Sequence, residues 1–297
     1  MPAKPRTLGD WLHWAEARYV RHKIALGQVA TSAHDEALYL LLHALGLPLD
    51  SPRGVLKRVL IADEAERVET LFERRLKDRV PAAYLTREAW LGPYKFYVDE
   101  RVIIPRSYFL ELLPEQIPQW LPRRPAVQRV VDVCTGSGCL AVLLAKQFPR
   151  ARVDAIDISA DALAVARFNV AQHRLAQRIR LWRSDVFDAV PRARYDVILS
   201  NPPYVPAREL AGLPPEFRRE PALALDGGRD GFDVIRKLLR QARDRLQPHG
   251  IAVLEVGGLR KAMDRQFAEL EPHWLHTTDG EDCVCVIQQH RLAAWRE

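Results

Sequence analysis

From about residue 128 onward, short runs rich in Val, Ile and Leu alternate with amphipathic runs, and this alternation constrains the fold more than any other feature. "QRVVDVC" reads as a strand, "CLAVLLAKQF" as a helix, "RVDAIDI" as a strand and "SADALAVARFNVAQH" as a helix. "IRLWRSD" and "YDVILS" are the next strands. A helix from about Gly231 to Leu246, the strand "IAVLEV", another helix and the closing strands "HWLHTT" and "CVCVIQQ" complete the pattern. Such alternation predicts an α/β fold, a mostly parallel sheet with helices on both faces. Ligands in these sheets bind beyond the carboxyl ends of the strands, where strand order reverses. Chemistry is therefore expected at the strand-to-helix junctions.

The preceding part of the chain has a different rhythm. "TLGDWLHWAEARYVRHKIAL", "SAHDEALYLLLHALGL" and "ADEAERVETLFERRLKDR" show helical spacing, each opening near a Ser, Thr or Asp suited to capping. "REAWLGPYKFYVDERVIIPRS" then places two short aromatic or β-branched runs around turn signals, which reads as a hairpin. With 297 residues, 48% of them hydrophobic, the chain can build two cores. The expected division is a helical domain over 1–88, a linking hairpin over 89–108 and a catalytic domain over 109–297.

Composition excludes several classes. No run of eighteen apolar residues occurs and "MPAKPRTLGDWLHW" lacks the apolar region of a secretory signal, so a cytoplasmic protein without membrane partners is expected. The net charge of +6 is compatible with contact to nucleic acid or a ribonucleoprotein. Arginines interleaved with acids, as in "ERVETLFERRLKDR", read instead as solvated helix faces, and no stable nucleic-acid partner is expected. Cys134, Cys139, Cys283 and Cys285 form neither a disulfide framework nor a C-x-x-C pair. Cys283 and Cys285 read as small core residues; a metal site with His273 and His276 is the alternative, and none is expected.

The first junction is "DVCTGSGC". Gly136 and Gly138 let the backbone approach a ligand at a helix start, and Asp157, at the end of the next strand, is placed to accept from both hydroxyls of a ribose. The turn lacks the third glycine of the dinucleotide fingerprint, and Asp132 suits an ammonium better than a pyrophosphate. S-adenosylmethionine carries both the ribose and the amino group. Cys134, Thr135, Ser137 and Ile158 complete the expected cofactor contacts. At the third junction Asp185 could accept from the adenine amino group while Val186 packs on its ring.

The fourth junction is "SNPPYV". Two prolines cannot continue a central strand, so the chain must leave the sheet at Asn201. The Asn201 side-chain carbonyl and the Pro202 backbone carbonyl can both accept from a planar –NH2, Pro203 stiffens the turn, and Tyr204 can pack on a flat group. Asn201 is expected beside the cofactor as well. "TGSGC" is not a nucleophile elbow, so Ser137 reads as a loop residue.

"DVCTGSGCLAV", "AIDIS", "SDVF", "NPPYV" and "EPALALDGGRDG" together resemble the HemK-type protein N5-glutamine methyltransferases over nearly the whole chain. The resemblance implies a Rossmann-like methyltransferase sheet. It assigns the glutamine amide to Asn201 and Pro202, and the S-adenosylmethionine pocket to Asp132, Gly136, Gly138, Asp157 and Asp185. "PRSYFLE" and Cys134 are similar to the PrmB branch, which acts on the third large-subunit ribosomal protein, uL3, rather than on release factors. The "NPPY" stretch by itself is shared with adenine and guanine amine methyltransferases. Arg106 and Glu220 are expected to face substrate, with Glu220 and Arg229 open between structural and orienting roles. Tyr108 and Phe109 are expected to pack between hairpin and sheet, and Gly227, Gly228 and Gly231 to form a flexible connection beside the cleft. A release-factor methyltransferase, a nucleic-acid amine methyltransferase and a ribosome-assembly factor without turnover are the other readings.

Overall fold

The computed structural model describes residues 5–121 and 127–296; the first four residues of the expected helical domain, and residues 122–126 and 297 of the expected catalytic domain, lie outside them. The chain opens with helices α1 (Leu8–His22), α2 (Ala33–Ala44), α3 (Ala62–Leu76) and α4 (Ala82–Thr86). Thr7 Oγ1 accepts from the Asp10 N–H while the Asp10 carboxylate accepts from the Thr7 N–H, a reciprocal cap that fixes the start of α1. Ser32 caps α2 through the Asp35 N–H at 3.0 Å. Trp11, Leu40 and Phe72 meet in the core of this helical part.

A separate two-stranded hairpin follows, β1 (Glu88–Leu91) and β2 (Tyr94–Tyr97), turning at Gly92 and Pro93. Asn169, fully buried, accepts from the Tyr97 N–H at 2.8 Å and donates to the carbonyls of Tyr97 and Ser137, both at 2.9 Å. One side chain thus ties the hairpin to the glycine turn.

The rest of the described chain contains α5 (Phe109–Glu115), β3 (Arg129–Val133), α6 (Cys139–Gln147), β4 (Arg152–Asp157), α7 (Ala160–Gln172), β5 (Ile179–Arg183), β6 (Tyr195–Ser200) and α8 (Ala207–Leu210). It ends with α9 (Asp233–Arg245), β7 (Leu246–Glu255), α10 (Arg260–Gln266), β8 (His273–Trp274), β9 (Val284–Gln288) and α11 (Gln289–Ala294). The strands form one seven-stranded sheet in the order β5-β4-β3-β6-β7-β9-β8. β3 to β7 run parallel, and only β9 and β8 join antiparallel. The expected α/β, Rossmann-like sheet is present.

Strand alternation divides the core into two layers. Val130, Val197 and Val253 face α5 and α6, while Val131, Ile198 and Leu254 face α9, α10 and α11. β4 and β5 lie on one side of β3, and β6 and β7 on the other, so strand order reverses between β3 and β6. This reversal opens the crevice in which the site lies.

Two local expectations differ. "HWLHTT" forms only the two-residue β8, because Asp282 binds the Thr277 N–H at 2.9 Å and Asp279 binds the Thr277 hydroxyl at 2.9 Å, drawing the segment into a side-chain-bonded loop. Helices α5 and α11 were not anticipated; both cover the sheet with short apolar faces. Cys283 and Cys285 are buried core residues, as expected. His273 packs its ring on Trp120 and His276 faces Asp282. Among the described residues no helix is long and apolar enough to cross a membrane.

Candidate active site

A cavity of about 490 Å³ lies beyond the carboxyl ends of β3, β4, β5 and β6. Four junctions supply its floor: Cys134 to Ser137, Asp157 and Ile158, Ser184 to Val186, and Asn201 to Val205. The segment 101–107 and the loop after Leu213 close it from outside.

The glycine turn is held by the end of β4. Thr135 N donates to the Ile156 carbonyl at 2.9 Å, and Gly136 N donates to Asp157 Oδ2 at 2.8 Å. Asp157 Oδ1 accepts from the Ser159 N–H at 2.9 Å, so backbone donors fix the carboxylate while its outer lone pairs face the cavity edge. Burial raises the Asp157 pKa and these backbone donors oppose the rise. Gly136, at φ +52, brings bare backbone to the cavity wall. Beyond β5, Val186 is buried at the wall, while the half-exposed Asp185 pairs with Lys237 at 2.6 Å. A carboxylate with outer lone pairs at the cavity edge, a close backbone turn and an apolar wall beside a second carboxylate match the hydroxyls, the polar end and the adenine ring of S-adenosylmethionine, so the residues fit it.

Two expected cofactor residues do not line the cavity. Asp132 is fully buried, its Oδ2 accepting from Thr135 Oγ1 at 2.5 Å. Alternation along β3 points it away from Val131 and Val133 and toward the start of α6, where the Ala141 N–H reaches it. It holds the turn from beneath through Thr135 and does not line the cavity, and burial pushes its pKa up to about 7. Gly138 opens α6 at φ +80, and a Cβ there would come within 3.1 Å of Ala166 Cβ; its role is close packing of α6 on α7. Cys134 does line the cavity, in a left-handed conformation at φ +64, and burial keeps its thiol protonated.

β6 delivers Asn201 beside the glycine turn because it pairs directly with β3, Ser200 lying opposite Val133. Asn201 Nδ2 donates to Glu255 Oε1 at 3.0 Å. Among the described residues neither Asn201 Oδ1 nor the Pro202 carbonyl has a protein partner, which leaves two acceptors at the cavity. Pro203 and Tyr204 continue the wall. The stretch is clamped from behind: Val205 N donates to Leu225 O and Gly227 N donates to Val205 O, both at 2.9 Å. The segment with Gly227, Gly228 and Gly231, expected to be a flexible connection, is a tight backing. A Cβ on Gly231 would sit 2.5 Å from the Tyr204 carbonyl.

Arg106 lines the cavity, but Glu220, expected to face substrate, does not. Its buried carboxylate is filled by Arg106 at 2.5 and 2.7 Å and by the Ile104 N–H at 3.1 Å. Glu220 therefore positions Arg106 and the outer wall. Phe109 is wholly in the core and Tyr108 bonds Asp279, so neither lines the cavity, and Arg229 is exposed away from it. Glu255 and Ser107, which bonds it at 2.5 Å, were not singled out from the sequence. A carboxylate ending the apolar strand "IAVLEV" was the available signal.

The family model "Methyltransferase small domain" matches residues 110–212. A "Ribosomal protein uL3 glutamine methyltransferase" of Burkholderia pseudomallei is 45% identical over 99% of this chain and 98% of its own length. The protein of the same name from Bordetella pertussis is 45% identical, covering 97% of this chain and 96% of its own. Among solved structures, the hMettl16 catalytic domain in complex with the MAT2A 3'UTR hairpin 1 aligns with a TM-score of 0.51 at 15% identity, over 86% of this chain and 91% of that one. That likeness supports the methyltransferase fold alone. Relatives matched at 45% identity along nearly their whole length place the chain in a family: it belongs to the ribosomal protein uL3 glutamine methyltransferases.

Proposed function

We propose that this protein methylates the side-chain amide nitrogen of a glutamine in ribosomal protein uL3. The observation that carries the reading is the pair of unpartnered acceptors, Asn201 Oδ1 and the Pro202 carbonyl, at the edge of a cavity that fits S-adenosylmethionine. When bound, S-adenosylmethionine supplies an electrophilic methyl group.

The two acceptors hold both N–H groups of a primary amide and fix the nitrogen's orientation. An amide nitrogen is a weak nucleophile because its lone pair is delocalised. Acceptors that favour its reactive form, together with orientation, supply the acceleration. Once alkylated the nitrogen is acidic, and its proton leaves through an acceptor or to water. Tyr204 and the rigid Pro203 shape the slot, and Arg106 guards its outer side. Asp157, Gly136, Thr135, Ser137, Cys134, Ile158, Asp185 and Val186 form the cofactor side, with Asp132 and Gly138 supporting the turn. Residues 1–88 recognise the protein around the glutamine, 89–108 link, and 109–297 carry the reaction. The partner is uL3 in the cytoplasm, free or during ribosome assembly.

The test is transfer of labelled methyl groups from S-adenosylmethionine to unmodified uL3, release factors and ribosomal RNA, with Asn201→Ala as control. Label on a uL3 glutamine, reduced about a hundredfold or more in the variant, supports the reading. Label on release factor or RNA replaces the substrate, and unreduced labelling by Asn201→Ala removes Asn201 from the reaction.

A further inference from the structure

We infer that Glu255 is a positioning residue that sets which end of the Asn201 amide faces the cavity. The inference rests on the proposed amide-binding role of Asn201 and adds what selects the orientation on which that role depends.

A primary amide is nearly symmetric in shape, so Asn201 could present either its carbonyl or its NH2 to the cavity with little steric difference. Only the carbonyl accepts from a substrate amide. The presented NH2 would set donor against donor. Selection must come from the group behind the side chain, and that group is Glu255, almost fully buried at the carboxyl end of β7 and outside the cavity lining. An ionised carboxylate can only accept, so Oε1 at 3.0 Å takes Nδ2 and turns Oδ1 outward.

Glu255 is itself held. Ser107 Oγ donates to Oε2 at 2.5 Å, and the Tyr108 N–H also reaches the carboxylate. Ser107 lies on the segment carrying Arg106, so the outer wall and the amide acceptor share one anchor. A carboxylate also polarises the amide it accepts from, strengthening Oδ1 as an acceptor.

A protonated Glu255 could donate to Oδ1 instead, reversing the selection. Its neighbours give this a defined range. Burial raises Glu255 to about 7, opposed by Ser107, the Tyr108 N–H, Arg106 and Asn201. Other charged or titratable neighbours are Tyr204 and Cys283, both raised by burial and neutral near pH 7. Arg106 keeps its charge throughout. Of these facing groups, Glu255 alone titrates between about pH 5.5 and 8.

Two measurements test the inference. Methyl transfer to uL3 is followed from pH 5.5 to 9 at saturating S-adenosylmethionine for wild type, Glu255→Gln and Ser107→Ala. The expected wild-type kcat falls on the acid side with an apparent pKa near 7. Glu255→Gln, whose amide can meet Asn201 either way round, loses about tenfold to a hundredfold in kcat and loses the acid limb, with cofactor affinity unchanged. Ser107→Ala removes a donor to the charged form and moves the limb to higher pH. A Glu255→Gln enzyme with wild-type kcat and an intact acid limb overturns the inference. The second measurement needs no substrate: the Asn201 side-chain NH2 resonances, followed by NMR from pH 5.5 to 8. They are expected to shift with Glu255 ionisation in wild type and stay still in Glu255→Gln; static wild-type resonances overturn the inference. A wild type inert toward uL3 would remove the substrate reading, leaving the NMR titration to decide on Glu255.

Discussion

Arg106 grips both carboxylate oxygens of Glu220 at 2.5 and 2.7 Å, joining two segments 114 residues apart. The guanidinium also lies 5.2 Å over the Phe217 ring, so one side chain holds the outer wall of the cavity by charge and by packing. Glu220→Ala would leave Arg106 half-sealed without its partner and is expected to cost about 3 kcal/mol in urea unfolding. Arg106→Lys is expected to cost a comparable amount, because an ammonium cannot reproduce the two-pronged contact. In both variants KM for uL3 should rise while cofactor affinity stays near wild type. Loss of cofactor binding alone would contradict this placement.

Strand-end chemistry was legible because chain-breaking residues mark where a buried strand must stop. Asn201 followed by two prolines, and Asp157 closing "AIDI", could be placed at the carboxyl ends of their strands from hydrophobic period and chain breaks, and the pairing of β6 with β3 brings Asn201 beside the glycine turn. What escaped reading depends on partners distant in the chain. Glu255 looks like an ordinary strand end until Asn201, 54 residues away, is seen to donate to it. Asp132 sits among the turn residues in sequence, yet alternation along β3 sends its carboxylate under α6. Cys134, whose similarity to the PrmB branch was legible, occupies a left-handed position at φ +64 that only glycine adopts without strain, and nothing in the sequence signals this. Gly227 and Gly231 carry no signal distinguishing a flexible loop from one pressed against another backbone.

Gly231→Ala should separate these two meanings. The new Cβ would lie 2.5 Å from the Tyr204 carbonyl, at a backbone φ of +89. The left-handed backbone alone costs roughly 2 kcal/mol for an L-residue. Relief of the clash must push Tyr204 and its neighbours toward the cavity. We expect kcat to fall by more than about tenfold with cofactor affinity little changed. A variant with wild-type kcat and stability would show that the backing is loose.

Glu216 links the helical part of the chain to the cavity wall. Its side chain is fully buried, accepts from Arg79 at 2.9 Å and lies 3.6 Å from Arg75 Nη1. The adjoining Phe217 and nearby Leu213 line the cavity. Glu216→Ala removes the shared anion, although Arg75 keeps Glu36 at 2.7 Å. A stability loss of about 3 kcal/mol is expected, with a rise in KM for uL3. If denaturant unfolding and KM both match wild type, the link does not hold the loop.

Asp132 tilts stability against pH in a direction opposite to most carboxylates. Burial is the largest cause of its rise from 3.8 to about 7, and the bonds from Thr135 and the Ala141 N–H only partly oppose it. Because the folded state holds this proton more tightly than the unfolded chain, the stabilisation is complete below the unfolded value and is lost as pH rises toward 7. Glu255 and Asp157 are raised too and tilt the same way. Asp99 and Asp230 are lowered, so their effect falls below about pH 4. His173 is lowered from 6.5, which weakens the fold as pH falls below that value and partly masks the trend. Comparison with Asp132→Asn isolates one proton. Between about pH 4.5 and 7 the wild-type urea stability should fall relative to the variant by up to about 1.4 kcal/mol per pH unit. A difference that stays flat across this range would mean that Asp132 is already ionised beneath the turn.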